Sequence, residues 1–207
     1  MNELGALVKA LGVSYAAGIN LYATVAVLGL AERLGWVGPL PGALSGVSQW
    51  WVIVLAATLY LIDFIATLVP GVASVWDTLH TFIRPPAAAL LSVATVWGGD
   101  PAVTIAAGLL GGSLALTTSG AKLGARYTID ASPEPFTNGV ANLAELGFLS
   151  ALLIQLWHHP VIALVLALVV LVLVVLVVRA VWRGFKRAFA SLAAPPPPDR
   201  HAGTPRS

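Results

Sequence analysis

The sequence predicts an all-α protein, a polytopic bundle of about six transmembrane helices. Hydrophobic residues make up 58% of the 207-residue chain and charged residues only 10%, a balance that ordinary soluble domains do not show. Several apolar runs are long enough to cross about 30 Å of hydrocarbon as a helix. The run "VIALVLALVVLVLVVLVV" at 161–178 lacks the alternation expected of a membrane β-barrel.

Six hydrophobic segments follow one another, separated by stretches such as "GWVGPLPGALSG" and "DASPEP". Gly, Pro, Ser and Asp in such stretches end helices and form turns. The predicted segments are 5–31, 49–69, 74–97, 101–126, 135–157 and 160–182. An alternative has five spans, with residues 74–84 lying in the membrane interface, because Pro85-Pro86 interrupts the third segment.

The basic residues predict the orientation, since Lys and Arg are enriched on the cytoplasmic side of membrane proteins. If both termini are cytoplasmic, Arg33 alone of the eleven Lys and Arg residues falls outside. The end of the chain, 179–207, holds six Lys/Arg and one Asp, which suits contact with anionic lipid rather than nucleic-acid binding. The predicted outer ends also carry the tryptophans of an aromatic belt, namely Trp36, Trp50, Trp51, Trp97 and Trp157.

Residues 1–190 are predicted to form a single transmembrane domain, and the polar, Pro-rich stretch 191–207 a disordered cytoplasmic tail. The chain contains no cysteine, which excludes disulfides, thiolate catalysis and Cys-based metal sites. Hydrolase, P-loop and dinucleotide-binding signatures are absent as well. We therefore expect neither an enzyme nor a bound cofactor.

One stretch of the sequence is echoed later in the chain. "GINLYATVAVLGLAER" (18–33) aligns with "GGSLALTTSGAKLGAR" (111–126), with Asn20 opposite Ser113. In the six-span topology these stretches run in opposite directions, as in the inverted repeats of many transporters. A second echo, of 77–84 with 138–145, joins two segments that would run the same way, so both echoes do not fit one inverted duplication.

Ionisable and amide side chains inside the predicted spans are candidate functional residues, because each is costly to insert into lipid without a role or a partner. One group lies in the cytoplasmic half of the third segment, and another shares one face of the fifth. Glu145 requires a cation or a proton at its predicted depth, and Arg84, Lys122 or Arg126 could supply the cation. The candidate pathway residues are Asn20, Asp63, Asp77, His80, Arg84, Lys122, Asn138, Asn142 and Glu145.

Simpler interpretations exist for several of these residues. Ser74 and Asp77 fit a capping box at a helix start, and Ser132 with Pro133 predicts the start of the fifth segment. Buried asparagines often hold helices together. Asp77 and His80 could meet one metal ion at i, i+3 spacing, but no second histidine is near, so no metal site is expected.

Three blocks carry a resemblance to a known family. "AAGINLYATVAVLGLAERLG", "PGVASVWDTLHTFIRP" and "DASPEPFTNGVANLAE" resemble, in this order, a bacterial integral-membrane family catalogued as a domain of unknown function (number 4126). The resemblance implies a multi-pass inner-membrane protein with no assigned reaction. Residues Thr67, Leu68 and Ala73 depart from the pattern, since the family commonly has an acidic–basic pair at the first two positions and often an acid at the third.

The leading functional expectation is a small transporter or channel-like protein of the bacterial inner membrane. Its partners would be the lipid bilayer, an unknown small solute or ion, and a second copy of the chain, because 207 residues are few for enclosing a pathway. A membrane scaffold or assembly protein is the alternative. The third class is a membrane enzyme acting on lipid head groups, with His80 and Asp77 as acid and base.

Overall fold

A computed structural model describes the chain at residues 3–69, 72–129 and 135–192. Within these ranges it describes the backbone but not the side chains at 74, 126–129, 135–137 and 184–192. Within these ranges all regular secondary structure is helical, which confirms the predicted all-α class. The long helices are α1 (Glu3–Ile19), α2 (Leu21–Arg33), α3 (Trp50–Leu68), α4 (Val72–Thr95), α5 (Pro101–Ile129), α6 (Pro135–His158) and α7 (Pro160–Leu192). A short 3-10 helix, Gly42–Ser48, joins α2 to α3.

Helices α3 to α6 begin and end within three residues of the predicted segments. Helix α7 continues to Leu192, ten residues beyond its predicted end at 182. Most of the predicted tail, from residue 193 onward, lies outside the described residues. The start signal at Ser132 and Pro133 lies outside them too.

Pro85 and Pro86 do not interrupt the third segment, because α4 is continuous from Val72 to Thr95. A buried helix tolerates the missing N–H groups when neighbouring helices pack closely around it. Here the α5 backbone comes close, since a Cβ placed on Gly112 would lie 3.8 Å from the Pro85 carbonyl oxygen. The interruption at Pro85-Pro86, on which the five-span alternative rested, is therefore absent, and the number of spans stays a prediction.

The first segment is not one helix, because the chain breaks at Asn20. Asn20 has extended backbone angles, φ −149° and ψ 106°, between α1 and α2. Helix α1 runs parallel to α5, and the contacts advance together along both helices. Ala10 lies with Ala107, Ser14 with Gly111, and Gly18 with Ala115.

Helix α2 then returns to the end of the bundle from which α1 started. The Lys9 ammonium near the start of α1 lies 5.2 Å from the Trp157 ring centre. The Trp36 carbonyl oxygen, just after α2, lies 3.2 Å from Nε2 of His158. Because both contacts are with the end of α6, α1 and α2 form a V-shaped helical hairpin with Asn20 at its tip.

The two ends of the bundle are chemically different. One end, called here the tryptophan end, holds the start of α1, the end of α2 and the residues Trp36, Trp50, Trp51, Trp97 and Trp157. The opposite end, called the basic end, is where α5 and α7 finish and α6 begins. Glu3 and Leu192 therefore lie at opposite ends of the bundle, and the prediction that 5–31 forms one helix is wrong. Hydrophobic length gives no information about whether a chain reverses.

Among the described residues, four helices are long and apolar enough to cross a membrane: Trp50–Leu68, Pro101–Ala125, Asn138–His158 and Pro160–Arg183. Helix α4 has 24 residues, but its inward face carries Asp77, His80 and Arg84, which lowers its hydropathy. It lies antiparallel to α3 and packs mainly on α5 and α1. The protein is thus an all-helical bundle whose apolar helices suit a membrane.

The close approach of α1 to α5 gives a matched pair of variants. A Cβ on Gly18 would overlap the Thr118 hydroxyl and lie 2.7 Å from Cα of Ala115, whereas nothing lies within 4 Å of one on Gly120. We expect Gly18→Ala to lower the free energy of unfolding by about 1–3 kcal/mol through overpacking. Gly120→Ala should leave it unchanged or raise it by up to about 1 kcal/mol. Thermal unfolding in detergent measures both, and equal effects would contradict the packing described.

The hairpin predicts which positions share a side of the membrane. The chain has no cysteine, so single ones can be introduced at the exposed positions Leu4, Asp100 and Arg183. We expect Leu4→Cys and Asp100→Cys to react with a membrane-impermeant maleimide from the same side, and Arg183→Cys from the other. Reaction of Leu4→Cys and Arg183→Cys from one side would instead support a crossing first segment.

Candidate functional site

The helix break at Asn20 leaves backbone groups that need new partners, and side chains supply them. On the α2 side, the Asn20 side-chain oxygen accepts the Ala23 N–H at 3.0 Å, so Asn20 is the N-cap of α2. On the α1 side, the Ser119 hydroxyl donates to the Gly18 carbonyl at 2.7 Å, and the Lys122 ammonium to the Ile19 carbonyl at 3.0 Å. A cation at a helix C-terminus is favoured by the helix dipole.

The amide nitrogen of Asn20 joins two carboxylates that are 82 residues apart in the sequence. Its Nδ2 donates to Asp63 Oδ2 at 2.9 Å and to Glu145 Oε1 at 3.1 Å. Glu145 Oε1 also accepts from Lys122 Nζ at 2.8 Å. Lys122 is therefore the cation that pairs with Glu145, one of the three partners considered from the sequence.

Asp63 continues the network toward α4. Its Oδ1 accepts from Trp76 Nε1 at 2.7 Å and lies 3.7 Å from Arg84 Nη2. The same Arg84 nitrogen donates to Asp77 Oδ1 at 3.0 Å. One guanidinium is thus shared by two buried carboxylates, and Asp77 holds it at the shorter distance.

His80 lies beside this network between two aromatic rings. Its Nδ1 is 2.9 Å from the Trp76 carbonyl oxygen, and its Nε2 is 3.2 Å from the Tyr22 hydroxyl. Because a carbonyl only accepts, Nδ1 carries the proton and Tyr22 donates to Nε2. The Trp76 ring lies 4.7 Å from the imidazole at a tilt of 32°, which fixes the ring further.

The two asparagines of α6 are buried on the face that meets α3. Asn142 donates from Nδ2 to the Thr67 hydroxyl at 2.5 Å, and Leu68 lies against Gly139. Asn138 is 5% exposed and also has an interaction partner. The Asn142–Thr67 hydrogen bond ties α6 to the end of α3.

We call the connected set Lys122, Glu145, Asn20, Asp63, Arg84 and Asp77 the polar network. Its members include three carboxylic side chains, Asp63, Asp77 and Glu145, and two basic ones, Arg84 and Lys122. Asn20, Asp63, Asp77 and Arg84 are each at most 3% exposed. Among the described residues, Nη1 of Arg84 is buried without a hydrogen-bond partner, and no three His, Asp or Glu side chains group as metal ligands would.

The comparisons with known proteins give one positive finding. The model of the family described as Domain of unknown function (DUF4126) matches residues 7–180. The chain belongs to the DUF4126 family. No curated protein and no solved structure matches the chain.

The DUF4126 blocks recognised in the sequence meet at the network. "AAGINLYATV" forms the hairpin tip, "WDTLHTFIRP" lies in α4, and "SPEPFTNGVANLAE" leads into α6. The candidate residues of α4 and α6 are not joined by one direct contact between Arg84 and Glu145. Asp63 on α3 and Asn20 at the break between α1 and α2 connect Arg84 to Glu145.

Two interpretations of the sequence change: the capping box at Ser74 and Asp77, and the echo of 18–33 at 111–126. Helix α4 starts before Ser74, since the Ala73 N–H already bonds the Val69 carbonyl at 3.2 Å. Ser74 is therefore not an N-cap, and the Asp77 carboxylate pairs with Arg84. The break at Asn20 is not repeated at Ser113, which lies inside α5, so the hairpin has no counterpart in the later echo.

Sequence reasoning missed Tyr22, Thr67, Trp76 and Ser119 as members of this region. Trp76 precedes His80 by one helical turn, and Tyr22 follows Asn20 directly after the break. These two spacings can be read from the sequence once His80 and Asn20 are identified as candidate residues. Thr67 and Ser119 carry no pattern that distinguishes them from other small polar residues of membrane helices.

Asn20 gives the first test of the site. Asn20→Ala removes an N-cap, which is typically worth about 1 kcal/mol, and takes one hydrogen-bond donor from each of the Asp63 and Glu145 carboxylates. We expect the free energy of unfolding to fall by at least about 2 kcal/mol. Ser113→Ala, at the position aligned with Asn20 in the echo, should change it by less than about 0.5 kcal/mol. Similar losses in both variants, measured by thermal unfolding in detergent, would contradict the role of Asn20.

The Lys122–Glu145 pair gives a double-mutant test. Lys122→Met leaves Glu145 without its cation, and breaking a buried pair in this way typically costs about 3–5 kcal/mol. Lys122→Met combined with Glu145→Gln removes both charges and keeps an acceptor for Asn20. We expect the double variant to regain at least half of the stability lost by Lys122→Met alone. Additive losses would show that the pair is not coupled.

Proposed function

We propose that this chain is a multi-pass protein of the bacterial inner membrane that conducts or transports a small cation along its polar network. The family assignment supports no more than a membrane protein of unassigned activity. The observation that carries the proposal is a largely buried network of three carboxylic and two basic side chains at the tip of a broken helix. Broken helices at membrane depth commonly form ion and substrate sites in transporters.

The proposed topology has five crossing helices, α3 to α7, and a re-entrant hairpin formed by α1 and α2. The basic end would face the cytoplasm, because Arg179 and Arg183 lie there and Lys186 and Arg187 follow. The tryptophan end, with Glu3, Glu32 and Asp100, would face outward. The start of α1 is then outside and the end of α7 inside.

The charges of the network favour a cation over an anion. Lys122 is already neutralised by Glu145 at 2.8 Å, and Arg84 lies near two carboxylates at 3.0 and 3.7 Å. An anion would therefore meet no free positive charge in the network. A cation would meet three carboxylates in the network, whose charge is costly in a low-dielectric interior unless it is compensated.

Nearly complete hydrogen bonding favours a second function, that of a membrane scaffold. The network connects α3, α4, α5 and α6 to the hairpin tip, so it holds five elements together. In a scaffold these bonds would be permanent. In a transporter they would rearrange when a cation enters.

Flux measurements separate the two functions. Full-length protein in liposomes is tested with imposed proton, sodium and chloride gradients. We expect cation flux, no chloride flux, and at least a tenfold loss of flux in Asp63→Asn and Glu145→Gln, each of which removes a carboxylate from the network. Asp100→Asn is the matched control, because Asp100 caps α5 at the exposed tryptophan end through the Ala102 N–H at 2.6 Å.

Folded Asp63→Asn and Glu145→Gln variants with wild-type flux would overturn the proposed pathway. Absence of flux in the wild type, together with loss of assembly in these two variants, would favour the scaffold. Chloride flux would contradict the charge argument.

A further inference from the structure

A cavity of about 200 Å³ lies between α1, α5, α6 and α7. Most of its walls are apolar, including Ala121, Phe148 and Val174. Its volume exceeds that of an engineered cavity of roughly 150 Å³ that holds one benzene. It therefore has room for part of one hydrocarbon chain, but not for a whole lipid.

Polar groups lie on one wall of the cavity, so its lining is not uniformly apolar. Tyr15 lines it, is 2% exposed, and makes no hydrogen bond through its hydroxyl within the described parts of the chain. Lys122 lines it too, with its ammonium bound to the Ile19 carbonyl and Glu145. An apolar ligand that carries one neutral acceptor would complete the hydrogen bonding of Tyr15, whereas Lys122 already has its counter-charge.

Basic side chains follow the cavity along α7. Arg179 lies five residues after Val174, about 7.5 Å further along the helix axis. Arg183 follows one turn later. Both are exposed at the basic end. Their position suits the negatively charged head group of a lipid whose chain runs from this end into the cavity.

We propose that this cavity binds one acyl chain of an anionic phospholipid, with an ester carbonyl accepting from the Tyr15 hydroxyl and the head group near Arg179 and Arg183. The chain would pack where α7 otherwise leaves space against α1 and α5. A lipid bound here would pack against Lys122, which forms part of the cavity wall. This proposal does not rest on cation passage, although Lys122 belongs both to the cavity wall and to the polar network.

Native mass spectrometry of the full-length protein in neutral detergent tests the proposal, with dioleoyl phosphatidylglycerol and dioleoyl phosphatidylcholine as probes. We expect one phosphatidylglycerol retained per chain. Ala121→Phe, which fills the cavity, should weaken retention at least tenfold. Leu109→Phe, on the exposed face of the same helix, should not change it. Tyr15→Phe should weaken retention about fivefold, the size of one neutral hydrogen bond.

Retention unchanged in both Ala121→Phe and Tyr15→Phe would overturn the site and leave only lipids bound around the outer surface. Equal retention of the two lipids, or a preference that survives Arg179→Gln with Arg183→Gln, would overturn the head-group assignment. A loss of dimer in Ala121→Phe without loss of lipid would show that a second copy of the chain covers this cavity.

Discussion

The architecture depends on how a helix can end inside a membrane bundle. Hydrocarbon offers no partner for free backbone groups, so a break at depth is stable only where protein groups satisfy them. Asn20 caps the start of α2, and Ser119 and Lys122 bind the last carbonyls of α1. The hairpin therefore requires α5 beside it, and the small residues along α1 and α5 allow that approach.

Because Lys122 binds the last carbonyl of α1, its positive charge lies inside the bundle. This charge requires a negative charge beside it. Glu145 balances Lys122, and Asn20 holds Glu145 and Asp63 with one amide group. Arg84 then compensates Asp63 only partly, because it is closer to Asp77. The charged side chains of the network thus form a sequence of local compensations that begins at the helix break. This link between backbone and charge is the basis of the proposed cation pathway.

The sequence predicted much of this, and the part it missed has a physical reason. Hydropathy located α3 to α7, and the cost of burying polar groups identified Asn20, Asp63, Arg84, Lys122 and Glu145 as candidates. Hydropathy does not register direction, and 5–31 is long enough to cross as one helix. Counting basic residues did not correct this, since Lys9 is the only one in that stretch and Arg33 follows it.

Distances between two spin labels test the central claim, the reversal of the chain at Asn20. Leu4 and Leu34 are exposed, near the start of α1 and just after α2. If 5–31 were one continuous helix, thirty residues would separate the labels by about 45 Å. The hairpin predicts a distance well below that value, because both labels lie at the tryptophan end. A measured distance near 45 Å would contradict the hairpin and the network built on it.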